Sequence, residues 1–212
     1  MIFKDREEAS LRLSEKLYKY KNKDGVVLAV PRGGVVLGYH LAGRLNLPLE
    51  IVLTKKLGHP LNKEFAIGAV SLHGTIINDA TGVTDEYIND ETWRLRQILK
   101  EGYKLYMGHK PHMSLAHKIV IIVDDGIATG STMESTVDLV KRSNPFMVIV
   151  AVPVASTKAI SGLRKKADEI ICLHTPSNFS TVSEFYSSFM QVSDDEVVSL
   201  MKKAHSNKEL TA

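Results

Sequence analysis

The chain has 212 residues, 44% hydrophobic and 24% charged, a balance that suits an ordinary water-soluble protein with one sizeable α/β core. A formal net charge of +3 is too small to argue for nucleic acid and is compatible with an anionic small molecule. The single Cys172 excludes an internal disulfide and fits a reducing cytoplasm, no apolar run nears the ~18 residues that span a bilayer, and the charged start MIFKDREEAS lacks the apolar centre of a signal peptide.

Residues 5–21 set Leu11, Leu13, Leu17, Tyr18 and Tyr20 among Lys, Arg and Glu, which predicts an amphipathic helix covering the edge of a sheet. Gly25 introduces a strand over 26–30, and the chain turns at Pro31-Arg32-Gly33-Gly34 into an apolar helix over 35–45. A glycine pair between strand and helix is phosphate-ready, although read alone it is also a plain tight turn. The two glycines are adjacent, so GxGxxG is not matched and a dinucleotide site is not indicated. A second strand over 49–54 ends at Lys55 and Lys56, two cations at the carboxyl end of a strand, where α/β sheets bind ligands. A solvated pair is the alternative, and alternation along a strand lets one of the two face a ligand. Phe65, Ile67 and Val70 then read as core, and residues 71–83 as a hairpin with polar tips.

Residues 84–107 form a long polar helix holding Trp93, Leu95, Ile98 and Leu99, with no capping box at its start. The helix-breaking segment 108–112 follows, basic and mobile, and carries Lys110. His109 and His112 stand at a metal-capable spacing but read more simply as surface histidines.

The most informative stretch is 118–132, KIVIIVDDGIATGST. Its β-branched run over 119–123 is too short for a helix and suits a buried parallel strand. Asp124 and Asp125 close the strand. Gly126, Ile127, Ala128, Thr129, Gly130, Ser131 and Thr132 then lead into a helix, with Ser131 and Glu134 spaced as a capping box. A helix N-terminus offers unpaired N–H groups to a phosphate, glycines admit close backbone approach, and two ionised carboxylates accept from vicinal sugar hydroxyls or a hydrated cation. Without its neighbours the acid pair is equally a helix-entry turn. No Lys follows Gly130, which argues against an ATP-type phosphate loop.

Beyond it lie a strand over 146–154, a basic helix over 156–166, a short strand over 170–173 and a polar loop ending at Phe179. Phe185, Tyr186 and Phe189 read as core. Asp194, Asp195 and Glu196 start a final helix over 197–201, and the tail after Lys203 is expected to fray.

At these residues the chain resembles the type I phosphoribosyltransferases: VDDGIATGST is similar to their phosphoribosyl-pyrophosphate (PRPP) binding motif. Gly126 departs from it, standing where most of the family carries an aliphatic residue. The closer resemblance, over residues 1–200, is to a bacterial and archaeal branch marked by PRGG, KKLG, NxEFAIGAV, VDDGIATG and QVSDxEV, some of whose members are fused to a hydrolase domain.

The resemblance implies one domain over 1–212, an open, mainly parallel sheet flanked by helices, with a small hood within 168–200. It implies transfer of the 5-phosphoribosyl group from PRPP to a nucleobase-like acceptor, with release of pyrophosphate, by a cytoplasmic, Mg2+-dependent homodimer with no membrane or nucleic-acid partner. Arg32, Gly33, Gly34, Lys55 and Lys56 would meet the pyrophosphate, Lys56 more than Lys55. The loop from Gly126 to Thr132 would hold the 5-phosphate. Asp124 and Asp125 would hold the ribose hydroxyls and the water shell of Mg2+, and with Arg32 and Lys56 they make the catalytic set. Residues 84–112 look like the family's flexible loop, enlarged, with Lys110 near the leaving group. Phe179 either stacks on the acceptor or is pinned in the hood's own core. Two other functions fit the same pocket, a non-catalytic PRPP-binding regulator and a hydrolase of a phosphorylated sugar.

Overall fold

The computed structural model describes residues 1–209. In chain order the elements are α1 (Arg6–Leu17), β1 (Gly25–Ala29), α2 (Gly33–Leu45), β2 (Leu49–Ile51), β3 (Thr54–Gly58), β4 (Ala66–Ser71), β5 (Thr75–Ile77), α3 (Asp85–Met107), β6 (Ile119–Val123), α4 (Ser131–Lys141), β7 (Met147–Val154), α5 (Thr157–Leu163), β8 (Glu169–His174) and α6 (Asp194–Glu209). Five strands form a parallel sheet in the order β2-β1-β6-β7-β8, and β3, β4 and β5 form a separate antiparallel sheet.

The parallel strands are buried on both faces, as their near-continuous Val and Ile content requires. Alternation divides them cleanly. Val27, Ala29, Ile121, Val123, Ile149 and Ala151 face α1, α2 and α6, while Val26, Leu28, Val120, Ile122, Val148 and Val150 face α4 and α5. Register sets Ala29 opposite Val123 and Val123 opposite Ala151, so the carboxyl ends of β1 and β6 open side by side. Asp5 caps α1 by accepting from the Glu8 N–H at 2.9 Å. The helix then buries Leu13 and Leu17 beside α2, against the sheet at β7 and its edge strand β8.

The single strand expected over 49–54 is two. Val52 still donates to the Ala29 carbonyl at 2.9 Å, after which the chain leaves the parallel sheet and Thr54 opens the second one. The physical reason is composition: Thr54-Lys55-Lys56 cannot lie in a sheet covered on both faces, but an antiparallel strand with one wet face accepts them. The hairpin expected over 71–83 starts earlier, with β4 and β5 joined at Leu72-His73-Gly74, where Ser71 Oγ accepts from Gly74 N–H at 3.1 Å. Ile67 and Val70 are core, but Phe65 is 50% exposed. Thr84 caps α3 by accepting from Tyr87 N–H, without the second half of a capping box. The last helix runs to Glu209, well past the expected 197–201, and the rest of the tail lies outside the described residues. Among those residues no helix is long and apolar enough to cross a membrane.

The small sheet rests on close backbone approach at Gly68, where an added Cβ would sit 2.1 Å from the Ile76 carbonyl oxygen. Gly68→Ala should therefore lower the free energy of unfolding by roughly 1–3 kcal/mol in a urea titration. A change within experimental error would mean that β5 yields without cost.

Candidate functional site

The carboxyl ends of β1 and β6 each continue into a turn and a helix, and the two turns interlock. Val30 N–H donates to the Val123 carbonyl at 3.0 Å, and the chain passes through a cis Pro31–Arg32 peptide into α2. A Cβ on Gly33 would lie 1.9 Å from Asp125 Oδ2, and one on Gly34 would lie 2.7 Å from the Val123 carbonyl oxygen and 3.0 Å from Asp124 Cα. The acid pair fills the space that side chains here would need. That contact explains both glycines at once.

Asp125 is held from four directions. Arg6, in the first turn of α1, brings Nε and a terminal guanidinium nitrogen each to 2.9 Å from Asp125 Oδ2. The two side chains are only 10% and 15% exposed, so this pair is little screened. Arg6 also donates to the Met190 carbonyl at 2.8 Å and lies 3.9 Å above the Phe189 ring. Tyr186 Oη donates to the Asp125 carbonyl at 2.6 Å. Asp124 accepts from the Asp125 N–H at 2.8 Å. Burial, followed by the neighbouring charge of Asp125, holds the Asp124 carboxyl well above the usual carboxylate range. Burial also raises Asp125, but Arg6 opposes it. The pair's extra proton therefore belongs on Asp124.

After Asp125, Gly126 is the residue at which this loop departs from the type I motif, and the structure gives the reason. A Cβ there would meet Val182 side-chain atoms at 2.5 and 2.9 Å and Val154 at 3.0 Å, so Val182 occupies the room an aliphatic residue would take. Ile127 donates to Val154 and accepts from Ser156 N–H at 2.9 and 3.0 Å, and Ser156 Oγ donates to the Ala128 carbonyl. The loop is thereby tied to the end of β7. Gly130, at φ +88°, is the N-cap of α4 and brings no side chain to it. The capping box expected from Ser131 and Glu134 does not form. Glu134 instead lies over Gly162, where a Cβ would come within 2.1 Å of its carboxylate. The first-turn N–H groups of α4 are thus left without a side-chain cap, and Ala128, Thr129, Ser131 and Thr132 are exposed around them.

The other expected site residues are only partly gathered here. Arg32 is the residue before α2 and points to Asp194 at the start of α6, 3.8 Å away, and Tyr106 Oη donates to the same carboxylate at 2.5 Å. Arg32 and Gln191–Asp195 enclose an open cavity of about 500 Å³ beside the glycine turn. Lys55 and Lys56 are not at the end of a parallel strand. They are exposed on β3, and Lys56 pairs with Glu64 at 3.0 Å. Lys110 lies in a groove between the end of α3 and α6, lined by Met107, Val198 and Met201, with no contact to the acid pair. Phe179 stacks on Phe185 at 5.4 Å between ring centroids, so the structure places it in the small aromatic core of the 179–189 segment.

As for a divalent cation, no group of three or more ligating side chains occurs among the described residues. Arg6 engages Asp125 through Oδ2, and Asp124 accepts from the Asp125 N–H through Oδ1. One carboxylate suits a Mg2+ that keeps most of its waters and arrives with a phosphate.

Sequence reading missed Arg6, Tyr186 and Asp194. Arg6 carried a signal: it stands on the same helical stripe as Ala9, Leu13 and Leu17, a charge on a buried face. Asp194 belongs to the QVSDDEV stretch, which read as a helix start and is also the partner of Arg32.

A profile of the phosphoribosyl transferase domain family matches residues 2–189. The chain is 34% identical over 209 residues to a Mycobacterium tuberculosis protein named "Putative phosphoribosyl transferase Rv0571c", a match covering 96% of this chain and 47% of that one. It spans about half the length of the curated relatives it matches. The crystal structure of TT1426 from Thermus thermophilus is 36% identical, covers 96% of this chain and 99% of that one, and superposes with a TM-score of 0.87. A Neisseria gonorrhoeae protein solved with bound ppGpp shares the fold at 16% identity and a TM-score of 0.50, covering 96% of this chain and 98% of that one.

The two acids should respond oppositely to neutralisation. Asp124 binds its proton more tightly folded than unfolded, so stability falls as pH rises from the ordinary carboxylate range through its raised value. Asp124→Asn should remove that fall and raise the melting temperature at pH 8. Asp125→Asn leaves the buried Arg6 without its counter-charge and should cost roughly 3–5 kcal/mol. Thermal melts of both variants between pH 4 and 9 check this, and the reverse order would overturn the assignment of the proton to Asp124.

Proposed function

The chain belongs to the phosphoribosyl transferase domain family, and from that membership we propose that it transfers the 5-phosphoribosyl group of PRPP to a nucleobase-like nucleophile, releasing pyrophosphate. One observation carries the reading. The acid pair at the end of β6 sits against the Gly33–Gly34 turn and leads through residues 126–130 into the uncapped N-terminus of α4, so its carboxylates lie beside two seats for anions. A sugar bearing a phosphate at one end and a diphosphate at the other has that pattern of groups.

In this arrangement the 5-phosphate accepts from the N–H groups and hydroxyls of Ala128–Thr132, which fix one end of the sugar. Asp124 accepts from the ribose hydroxyls. The pyrophosphate lies against the Gly33–Gly34 backbone, and Arg32 exchanges its long, solvent-screened contact with Asp194 for the diphosphate. As the bond from C1 to the pyrophosphate oxygen breaks, positive charge develops on the ring, by analogy with glycoside chemistry, and the nucleophile adds at C1. Bound Mg2+ would neutralise charge on the leaving diphosphate, with Asp124 as the protein group facing its waters. Arg6 touches none of the reacting atoms. It is a positioning residue that keeps Asp125, and through the shared backbone Asp124, against the glycine turn.

Because free Asp124 tends to hold a proton and must lose it to accept two hydroxyls, binding should release a proton. Calorimetric titration with PRPP and Mg2+ in buffers of different ionisation enthalpy should show that release, with affinity rising as pH increases and lost in Asp124→Asn. Pyrophosphate should then appear only when a suitable acceptor from a nucleobase panel is added. No binding of PRPP would sink the reading. Inorganic phosphate released without an acceptor would move it to a sugar-phosphate hydrolase, and tight binding with no turnover on any base would favour a PRPP-responsive regulator.

A further inference from the structure

A second enclosed space lies away from the acid pair, where the two sheets face each other. The edge of β2, the turn between β4 and β5, the carboxyl end of α4 and the 112–116 segment bound a cavity of about 300 Å³. Its position can be read from α4: the loop 126–130 leads into one end of this helix, while Leu139, Val140 and Ser143 line the cavity at the other, about 16 Å along for eleven residues.

The walls are mainly apolar, from Leu28, Ile51, Leu139 and Val140 among others, but they contain one group that apolar walls do not explain. Glu50 lies on the edge strand and is only 5% exposed. It accepts from Ile51 N–H at 2.9 Å, from Met113 N–H at 3.3 Å and from Tyr103 Oη at 3.3 Å. All of these donors are neutral, and among the described residues no Lys, Arg or His is paired with it. Burial pushes its carboxyl above the usual range. An enclosed carboxylate without a counter-charge is costly, and such groups are ordinarily paired or replaced.

Beside it, His112 lies over Tyr103 at 3.7 Å between ring centroids and meets His73 edge-on at 4.4 Å. Burial, with His73 adding to it, lowers the basicity of His112, which favours its neutral ring over a charge. No Lys or Arg lines the space, which makes it a poor host for phosphate. Apolar walls, edge-on imidazoles and an acceptor lacking a cation together describe a receptor of one kind.

We propose that this cavity is a second ligand site, separate from the sugar-phosphate site, that takes a small aromatic cation of the amidine or amine class. The ring lies between the imidazoles and the apolar walls, and its N–H groups donate to Glu50. The site stands on its own geometry and does not depend on the activity proposed above.

Benzamidine and benzoate have nearly the same shape and opposite charge, so together they test it. Histidine ring signals followed by NMR should show saturable binding of benzamidine, with the shifts centred on His112 and His73 and a Kd below about 1 mM, while benzoate leaves them unmoved. Glu50→Gln should weaken benzamidine binding roughly tenfold or more. If that buried variant does not fold, as judged by circular dichroism, Ser143→Trp decides the matter by filling the cavity from the half-exposed end of α4 and abolishing the shifts. Equal response to both probes, benzamidine binding unchanged in Glu50→Gln or Ser143→Trp, or no saturation with benzamidine would each overturn the proposal.

Discussion

The contact between Asp125 and the backbone of Gly33 is the constraint on which the rest of the site depends. Two parallel strands end in turns that both need the same small volume, and the conflict is resolved by giving one turn the side chains and the other none. An anionic pair seated against a glycine turn is electrostatically demanding, because burial disfavours both charges. Arg6 meets that demand at Asp125, while at Asp124 burial and the neighbouring charge favour the protonated form. The unequal treatment is useful. One acid becomes a fixed part of the scaffold, and the other is the one assigned to the ligand's hydroxyl groups in the proposed function.

The clamp also explains why segments distant in sequence converge here. Arg6 reaches Asp125 across 119 positions and Met190 across 184, and Tyr186 closes the ring by donating to the Asp125 carbonyl. Phe3 bonds Phe185 and Ser187 through the backbone, which aligns the N-terminal stretch with the 179–189 segment. The first helix and the aromatic segment after β8 therefore act as a buttress behind the acid pair. Phe179 and Phe189 serve this buttress, Phe179 by stacking on Phe185 and Phe189 beneath the guanidinium of Arg6. An aromatic with a packing partner of that kind has little face left for a ligand.

How much of this was legible in the sequence depends on how local the cause is. The strand over 119–123, its terminal acids and the loop beyond it were readable because β-branched runs, adjacent carboxylates and glycines act within a few residues of themselves. So was the glycine turn after β1. The departure of the chain from one sheet to another after Ile51 was not, because periodicity reports that residues are extended and says nothing about which neighbour they pair with. Lys55 and Lys56 were misplaced by that step. The capping box failed for a different reason: Gly130, with no side chain, took the cap position, and Glu134 found its place over Gly162. Arg6 and Asp194 act through partners far away in sequence, 88 positions or more, and only a charge on an apolar stripe hinted at the first.

These differences follow a division within the molecule. On the proposed reading, the sugar and its phosphate are held by strand ends and helix starts of the parallel sheet, where register fixes positions. The other cations considered for the site are exposed: Arg32 at 3.8 Å from a carboxylate, Lys56 paired with Glu64 in solvent, Lys110 in a groove beside α6. Solvent-exposed pairs of this kind contribute little to stability and exchange partners readily. A rigid seat for the common substrate and loosely held charges around it is the arrangement expected where one part of the reaction is fixed by the fold and the other is set by side chains that can change without disturbing the core. The small antiparallel sheet extends that logic. It hangs from the parallel sheet beyond β2, it carries the two lysines, and the cavity containing Glu50 lies in the seam between them.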